Sequence, residues 1–195
     1  MLLDEGAGLF CVADGVTNSS HGSGAAAAEL ALALLREAFS GDLSVALSEV
    51  NRLSLERRKE DRTIGETTLT AAYLNRSTLE VANVGDSPAL LVRGEKTRKL
   101  TVEDRGPGGH ITQVIGYRSS IEVHSIRLEL EPADMVVVAS DGVGHVLTNP
   151  FLTRLVEIGV AAKAADLIVN EAKSTPSGYD DDKTAIVIEV KRGAI

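Results

Sequence analysis

The chain has 195 residues, of which 44% are apolar and 25% charged, and its formal net charge is −8. This composition is typical of one soluble globular domain, and the length is sufficient for a core that folds without a metal or disulfide. The acidic balance excludes a surface built to bind nucleic-acid phosphates, so no nucleic-acid partner is expected. The single cysteine, Cys11, lies in an apolar run and is predicted to be a buried thiol, which fits a cytoplasmic protein. The longest apolar stretch is too short to span a bilayer, so no membrane association is expected.

The first part of the chain predicts one strand followed by two helices. Residues 9–14 form a short apolar run typical of a buried strand, and a polar stretch rich in serine and glycine follows it. Residues 25–39 are rich in alanine and leucine and lack proline and glycine, which predicts a packed helix. A second helix is predicted at 42–61, with charges towards its C-terminal end.

From residue 66 the pattern changes to short strands. We predict a meander of antiparallel strands, a loop, one helical turn, two further strands, two helices and a closing strand. In chain order these segments are 66–74, 78–85, 88–94 and 96–101 for the meander, 105–110 for the loop, 111–116 for the turn, 121–130 and 134–140 for the strands, 150–158 and 161–173 for the helices, and 183–190 for the last strand. Because the helices are grouped, the order favours a single α+β domain over 1–195, with antiparallel sheets and a helix pair on each outer face.

Two apolar runs end in the same Asp-Gly pair, "FCVADGV" at 10–16 and "VVASDGV" at 137–143. Asp-Gly is a favoured hairpin turn, but a hairpin requires a partner strand directly afterwards. A polar loop and a helix follow Asp14-Gly15, and no strand follows Asp141-Gly142. Each aspartate is therefore predicted to end a buried strand at the rim of a sheet, where the glycine lets another group or an ion approach the backbone.

A third acidic cluster, Asp180-Asp181-Asp182, precedes the last predicted strand. Taken alone it would be a solvated turn, but beside two strand-end aspartates it indicates a convergent carboxylate site. Carboxylates gathered at one rim repel each other, and their pKa values rise unless a cation compensates. Oxygen ligands without His or Cys favour Mg²⁺ or Mn²⁺ over zinc.

These motifs resemble those of the PP2C-type (PPM) metal-dependent protein serine/threonine phosphatases, including their compact bacterial sporulation and stress-response relatives. The resemblance covers about residues 8–190 in the family's motif order, and the ordered set is more specific than any single motif. It implies two antiparallel sheets sandwiched between helix pairs. The stretches that carry it are "LFCVADGV", "ETTLTAAYL", "LEVANVGDSPALLV", "LTVED", "LEPADMVVVASDGVGHVL" and "DDKTAIVIEV".

The resemblance implies a hydrolase that removes phosphate from phosphoserine or phosphothreonine in a protein substrate. Asp14 would bridge two Mn²⁺ or Mg²⁺ ions, the Gly15 carbonyl would bind one of them, and Asp141 and Asp181 would complete the ligands of the first. A hydroxide held between the ions would attack phosphorus in line, without a covalent enzyme intermediate. The three aspartates are thus the candidate catalytic and metal-binding residues, whereas Asp86 is interpreted as structural.

The chain departs from the family pattern at several positions. Only 13 residues precede Asp14, and they hold neither the family's phosphate-binding Arg nor its Asn-x-Asp motif, so the chain is either truncated at its start or lacks the family's first strand. Val16 stands where animal members have a His, Glu66 replaces a glycine, and Pro88 replaces an arginine. The flap is cut to "RGPGGH", which resembles the compact forms whose substrates are small phosphorylated anti-sigma-antagonist proteins.

Two alternatives compete with an active phosphatase. A regulatory module that keeps the fold, with weak or no catalysis, is favoured by the missing N-terminal motif. A haloacid-dehalogenase-type phosphotransferase needs a nucleophilic aspartate two residues before Asp14, and Val12 at that position excludes it. His21 and His145 each follow a metal motif and could orient substrate, although a surface role is the simpler interpretation.

Overall fold

The computed structural model describes residues 1–17, 22–158, 160–175 and 181–191. The strands in these ranges are β1 Leu2–Asp4, β2 Leu9–Val12, β3 Leu69–Asn75, β4 Thr78–Val84, β5 Ala89–Arg93, β6 Lys96–Lys99, β7 His124–Glu129, β8 Met135–Ala139 and β9 Ala185–Glu189. The helices are α1 Gly24–Ala38, α2 Leu43–Glu60, α3 Asn149–Ile158 and α4 Ala161–Ser174, and a 3₁₀ helix spans Asp141–Val146.

The strands form two sheets in which each neighbouring pair is antiparallel. One sheet has the order β1-β2-β3-β4-β7 and the other the order β6-β5-β8-β9. Helices α1 and α2 pack on the first sheet, whereas α3 and α4 pack on the second. The inner faces of the sheets pack against each other through a third apolar cluster. This arrangement of four layers confirms the predicted α+β class and the predicted helix pair on each outer face.

Strand β8 illustrates how the layers are read from the sequence. Met135 and Val137 pack in the cluster beneath α3 and α4, whereas Val136 and Val138 pack between the two sheets. Both faces of the strand are therefore buried, which is why its sequence is continuously apolar rather than alternating.

Polar residues fix where the first two helices begin. The Ser23 side chain accepts a hydrogen bond from the Ala26 N–H at the start of α1, and Asp42 accepts one from the Val45 N–H at the start of α2. Cys11 is fully buried, as predicted, and burial raises the pKa of its thiol. Among the described helices, none combines the length and the apolar character needed to cross a membrane.

The predicted meander is wrong at one point, because β4 and β5 belong to different sheets. The chain crosses from one sheet to the other at residues 85–88, where Gly85 takes a φ of +104°. The Pro88 carbonyl then accepts from the Ala139 N–H (2.9 Å), which begins the pairing of the second sheet. Strands buried on both faces have similar sequences, so the apolar pattern did not distinguish the two sheets.

The helical turn predicted at 111–116 is also wrong. This segment is extended, and Ile115 exchanges two backbone hydrogen bonds with Thr67 (2.8 and 3.3 Å). Its apolar residues Val114 and Ile115 are buried against the rest of the fold, so long-range pairing replaces the local turn. Strand β7 begins at His124 rather than at residue 121.

Candidate active site

Asp14 lies just beyond the end of β2, and two threonines hold its backbone. The Asp14 N–H donates to Thr68 Oγ1 (3.1 Å), and the Asp14 carbonyl accepts from the Thr68 N–H (2.8 Å) and the Thr67 hydroxyl (2.9 Å). Thr68 Oγ1 also lies 2.8 Å from Ser87 Oγ, in the segment where the chain crosses between the sheets. The backbone at Asp14 is therefore tied to both sheets.

Gly15 follows at a point where the chain touches the start of α1. A Cβ at Gly15 would lie 2.2 Å from the carbonyl carbon of Gly24, closer than real Cβ contacts come. Gly24 is restricted in return, because its own Cβ would lie 2.6 Å from the carbonyl carbon of Gly15. Glycine is therefore needed at both positions for the strand end to meet the helix start.

Asp141 follows β8 and is the first residue of the 3₁₀ helix. A Cβ at the next residue, Gly142, would lie 2.4 Å from the carbonyl oxygen of Asp182 and 3.4 Å from Cβ of Asp181. The Ser140 hydroxyl donates to the same Asp182 carbonyl (2.9 Å) and accepts from the Thr184 N–H (3.0 Å). These contacts bring the segment that carries Asp181 directly against the end of β8.

Four aspartates lie within electrostatic range of each other where β2 and β8 end, a region called the rim below. They are Asp14, Asp86, Asp141 and Asp181. Burial, and then the charges of Asp141, Asp181 and Asp86, raise the pKa of Asp14 from 3.8 to about 7. The carboxyls of Asp14 and Asp141 are close enough to interact through a hydrogen bond. Burial also raises the pKa of Asp86, although the charge of Arg105 opposes this effect. The rim therefore carries negative charge that is only partly compensated.

Two residues at the rim, Asp86 and Arg105, were not predicted as site residues. Arg105 Nη2 lies 2.8 Å from Asp86 Oδ2 and 2.8 Å from Asp141 Oδ2, and Arg105 Nη1 donates to the Gly109 carbonyl (2.9 Å). Asp86 thus shares a counter-ion with Asp141 and belongs to the same charged cluster. The available signal was weak, since Arg105 is simply the residue that opens a glycine-rich loop.

The oxygen donors at the rim suit a hard divalent cation. Asp14, Asp141 and Asp181 offer carboxylate oxygens, and the charges of the neighbouring acids are, after burial, the main cause that raises the pKa of Asp14. Within the described ranges, no three acidic, imidazole or thiol side chains converge closely enough to hold a metal as they stand. Asp141 instead accepts a hydrogen bond from Arg105.

Two clefts flank the rim. One, of about 530 Å³, is lined by Asp14 and Asp182 together with the start of α1. The other, of about 380 Å³, is lined by Arg105, Asp141 and His145. The rim is therefore open to solvent on two sides, and a bulky substrate could approach it.

The remaining candidates are placed as follows. His145 Nε2 lies 3.0 Å from a backbone carbonyl. His124 Nε2 lies 3.0 Å from Asp104 Oδ1, so this histidine contacts the base of the Arg105 loop. His21 and Asp180 lie outside the described residues.

Comparisons with known sequences match nearly the whole chain. The family model described as Stage II sporulation protein E (SpoIIE) matches residues 4–191. The protein named serine/threonine phosphatase stp from Listeria innocua is 25% identical over 216 residues, which cover 93% of this chain and 84% of that protein. Its namesake from Listeria monocytogenes serovar 1/2a is 24% identical over 216 residues, with the same coverage.

Solved structures show the same fold. The Mycobacterium tuberculosis serine/threonine phosphatase PstP/Ppp superposes with a TM-score of 0.78 at 20% identity, over 94% of this chain and 88% of that chain. The serine/threonine phosphatase Stp1 from Staphylococcus aureus superposes with a TM-score of 0.80 at 18% identity, over 95% of this chain and 84% of that chain. The likeness confirms the predicted arrangement of two sheets between helix pairs.

Proposed function

Since the chain belongs to the SpoIIE family, we propose that it is a PP2C-type protein serine/threonine phosphatase that depends on Mn²⁺ or Mg²⁺. The observation that carries the proposal is the meeting of Asp14 and Asp141, from different sheets, at one rim where the pKa of Asp14 rises to about 7. The similar proteins from Listeria are named serine/threonine phosphatases, and they align over 93% of this chain.

In this proposal Asp14, the Gly15 carbonyl, Asp141 and Asp181 hold two divalent ions. The support is chemical, because these residues offer oxygen donors and their mutual repulsion is relieved by positive charge. When bound, the ions supply a more acidic water as nucleophile and neutralise charge on the transferring phosphoryl group. The proposal requires no nucleophilic side chain and no covalent intermediate.

The protein's own contribution is to hold the carboxylates in place. Thr67 and Thr68 fix the backbone at Asp14, and Ser140 and Gly142 fix the segment of Asp181. Because these backbone segments are fixed, only the carboxylate side chains and Arg105 need to rearrange when the ions arrive, which lowers the entropic cost of assembling the site.

We extend the proposal to the substrate, which we take to be a small phosphorylated protein of the anti-sigma-antagonist type. The loop between Asp104 and Thr112 is short, with a tight turn closed by a hydrogen bond from the Gly106 N–H to the His110 carbonyl (2.9 Å). A short loop leaves the clefts at the rim open to a phosphorylated segment on a folded partner. A cytoplasmic reaction suits the lone, buried Cys11.

Release of phosphate from a phosphothreonine peptide tests the activity. We expect turnover by the whole chain with Mn²⁺, loss of turnover with chelator, and recovery when Mn²⁺ is restored. Asp141→Asn should reduce turnover to background, whereas Asp166→Asn, on the exposed side of α4, should leave it unchanged. Turnover that persists in chelator, or in Asp141→Asn, would contradict the proposal.

A second candidate function is a regulatory module with weak or no catalysis. It is favoured by the hydrogen bond from Arg105 to Asp141, which occupies a proposed metal ligand. Calorimetric titration with Mn²⁺ separates the two functions, because two binding events per chain support catalysis. One weak event, or none, together with no phosphate release, supports the regulatory module.

A further inference from the structure

The Arg105 guanidinium bridges two carboxylates from different parts of the fold. A single nitrogen, Nη2, lies 2.8 Å from Asp86 Oδ2 and 2.8 Å from Asp141 Oδ2. Asp86 lies where the chain crosses between the sheets, whereas Asp141 lies at the end of β8. Charge-assisted hydrogen bonds of this length are among the stronger polar contacts in proteins. Arg105 is therefore a counter-ion shared by two acids of the rim.

The backbone at the base of the Arg105 loop is held independently of the guanidinium. Asp104 Oδ2 accepts from the Gly85 N–H (2.7 Å), and the Asp104 N–H donates to the Gly85 carbonyl (3.1 Å). The Thr112 N–H donates to the Asp104 carbonyl (2.8 Å) and closes the loop. Because none of these bonds uses the side chain of Arg105, the guanidinium can leave the carboxylates while the base of the loop stays in place.

The guanidinium also has room to move. The Arg105 side chain is 37% exposed, whereas that of its partner Asp86 is 8% exposed. Arg105 lines the cleft of about 380 Å³, so rotation of its side chain away from Asp141 meets open space. The pairing with Asp141 is thus reversible on the scale of a side-chain rotation.

We propose that Arg105 and a divalent cation compete for Asp141, so that Arg105 is a positioning residue that sets the metal affinity of the phosphatase site. A guanidinium and a divalent cation on the same carboxylate repel each other, whichever oxygen each one contacts. The pairing of Arg105 with Asp141 therefore opposes metal binding, and release of Asp141 favours it, while Asp86 can retain the guanidinium near the rim. The inference rests on the proposed function, because it takes Asp141 to be a metal ligand.

Calorimetric titration of Mn²⁺ into the metal-free whole chain tests the competition. Arg105→Ala should bind Mn²⁺ about tenfold more tightly than wild type, the effect expected when one or two partly exposed ion pairs no longer oppose binding. Arg105→Lys should fall in between, because a lysine keeps the charge but cannot reproduce the fork of donors. The control is Arg98→Ala, which removes the same charge from the exposed face of β6 and should bind as wild type does.

Thermal unfolding provides a readout that a merely structural arginine would not give. In chelator, Arg105→Ala should unfold at a lower temperature than wild type, because Asp86 and Asp141 lose their counter-ion. In excess Mn²⁺ the difference in unfolding temperature between Arg105→Ala and wild type should disappear or change sign. A deficit of equal size in both conditions would mean that Arg105 only stabilises the fold, and it would overturn the inference.

The outcomes separate the inference from the proposed function. If wild type binds Mn²⁺ and Arg105→Ala does not bind it more tightly, the competition is wrong and the phosphatase proposal stands. If neither binds Mn²⁺, both are wrong. Binding by Arg105→Ala alone would support the competition strongly. If Arg105→Ala does not fold, the Mn²⁺ affinity of Arg105→Lys decides. An affinity equal to that of wild type would overturn the competition, and tighter binding would support it.

Discussion

Replacing Asp14 with asparagine should stabilise the metal-free protein at alkaline pH, although it removes a proposed metal ligand. Folding raises the pKa of this carboxyl from 3.8 to about 7, mainly through burial and the charges of neighbouring acids. A rise of this size corresponds to about 4 kcal/mol of unfavourable free energy for the ionised form in the folded state. Because Asp14 is only half-buried and solvent screens its charge, we reduce this to roughly 2 kcal/mol.

The sign of the pH dependence follows from the raised pKa. Below pH 3.8 the carboxyl is protonated in both the folded and the unfolded chain, so Asp14→Asn should have little effect. Between pH 3.8 and about 7 the folded protein binds the proton more tightly than the unfolded chain does, so the stability of wild type falls as the pH rises. The advantage of asparagine, which cannot ionise, should therefore grow over this window and be complete near pH 8.

Thermal unfolding in chelator at pH 5 and pH 8 measures the effect. For a domain of this length, roughly 2 kcal/mol raises the melting temperature by about 4–8 °C. Asp14→Asn should therefore melt about 4–8 °C above wild type at pH 8, with a smaller difference at pH 5, while Asp166→Asn serves as the control. Excess Mn²⁺ should stabilise wild type far more than Asp14→Asn. If Asp14→Asn is less stable than wild type at pH 8 in chelator, the electrostatic account of this rim is wrong.

Three further predictions concern the same region. The Cβ of Gly142→Ala would lie 2.4 Å from the Asp182 carbonyl oxygen. This variant should therefore lose roughly 1–3 kcal/mol of unfolding free energy in urea and bind Mn²⁺ more weakly in calorimetry. Gly144→Ala, whose Cβ would meet nothing within 4 Å, is the control and should show neither effect. Arg58→Met should lower the free energy of unfolding in urea by about 3–5 kcal/mol, because it removes the cation beside Glu66, whose side chain is 6% exposed. A variant as stable as wild type would contradict this prediction. The apparent affinity for Mn²⁺ should fall about tenfold from pH 8 to pH 6, because Asp14, with a pKa of about 7, must lose its proton to hold a cation. A flat profile would contradict the combination of a raised pKa and a ligand role for Asp14.

The sequence was informative where a local pattern had a single physical solution. An apolar run that ends in Asp-Gly with no strand behind it places the aspartate at a strand end, and Asp14 and Asp141 both lie at such ends. The helix predicted at 25–39 from its composition lies at Gly24–Ala38. In each case the deciding contacts lie within a few residues along the chain.

The sequence was uninformative where the deciding contacts are distant in the chain. Arg105 reaches the rim because Asp104 is tied to Gly85, and Asp86 faces Asp141 because the chain changes sheets beside it. The extended path near Ile115 depends on pairing with Thr67. Local composition does not encode such long-range pairings, so the charged cluster around Arg105 could be identified only from the folded structure.

Positive charge is distributed unevenly over the four aspartates of the rim. A bound cation would therefore relieve the most repulsion near Asp14. Arg105 pairs with Asp86 and Asp141, whereas the largest electrostatic influences on Asp14 come from other acids. Hydrogen bonds with Thr67 and Thr68 hold the backbone at Asp14 in place, so the repulsion between the carboxylates persists in the fold. The backbone contacts that keep these carboxylates near each other are therefore also the contacts that limit how far their side chains must move to hold a divalent ion.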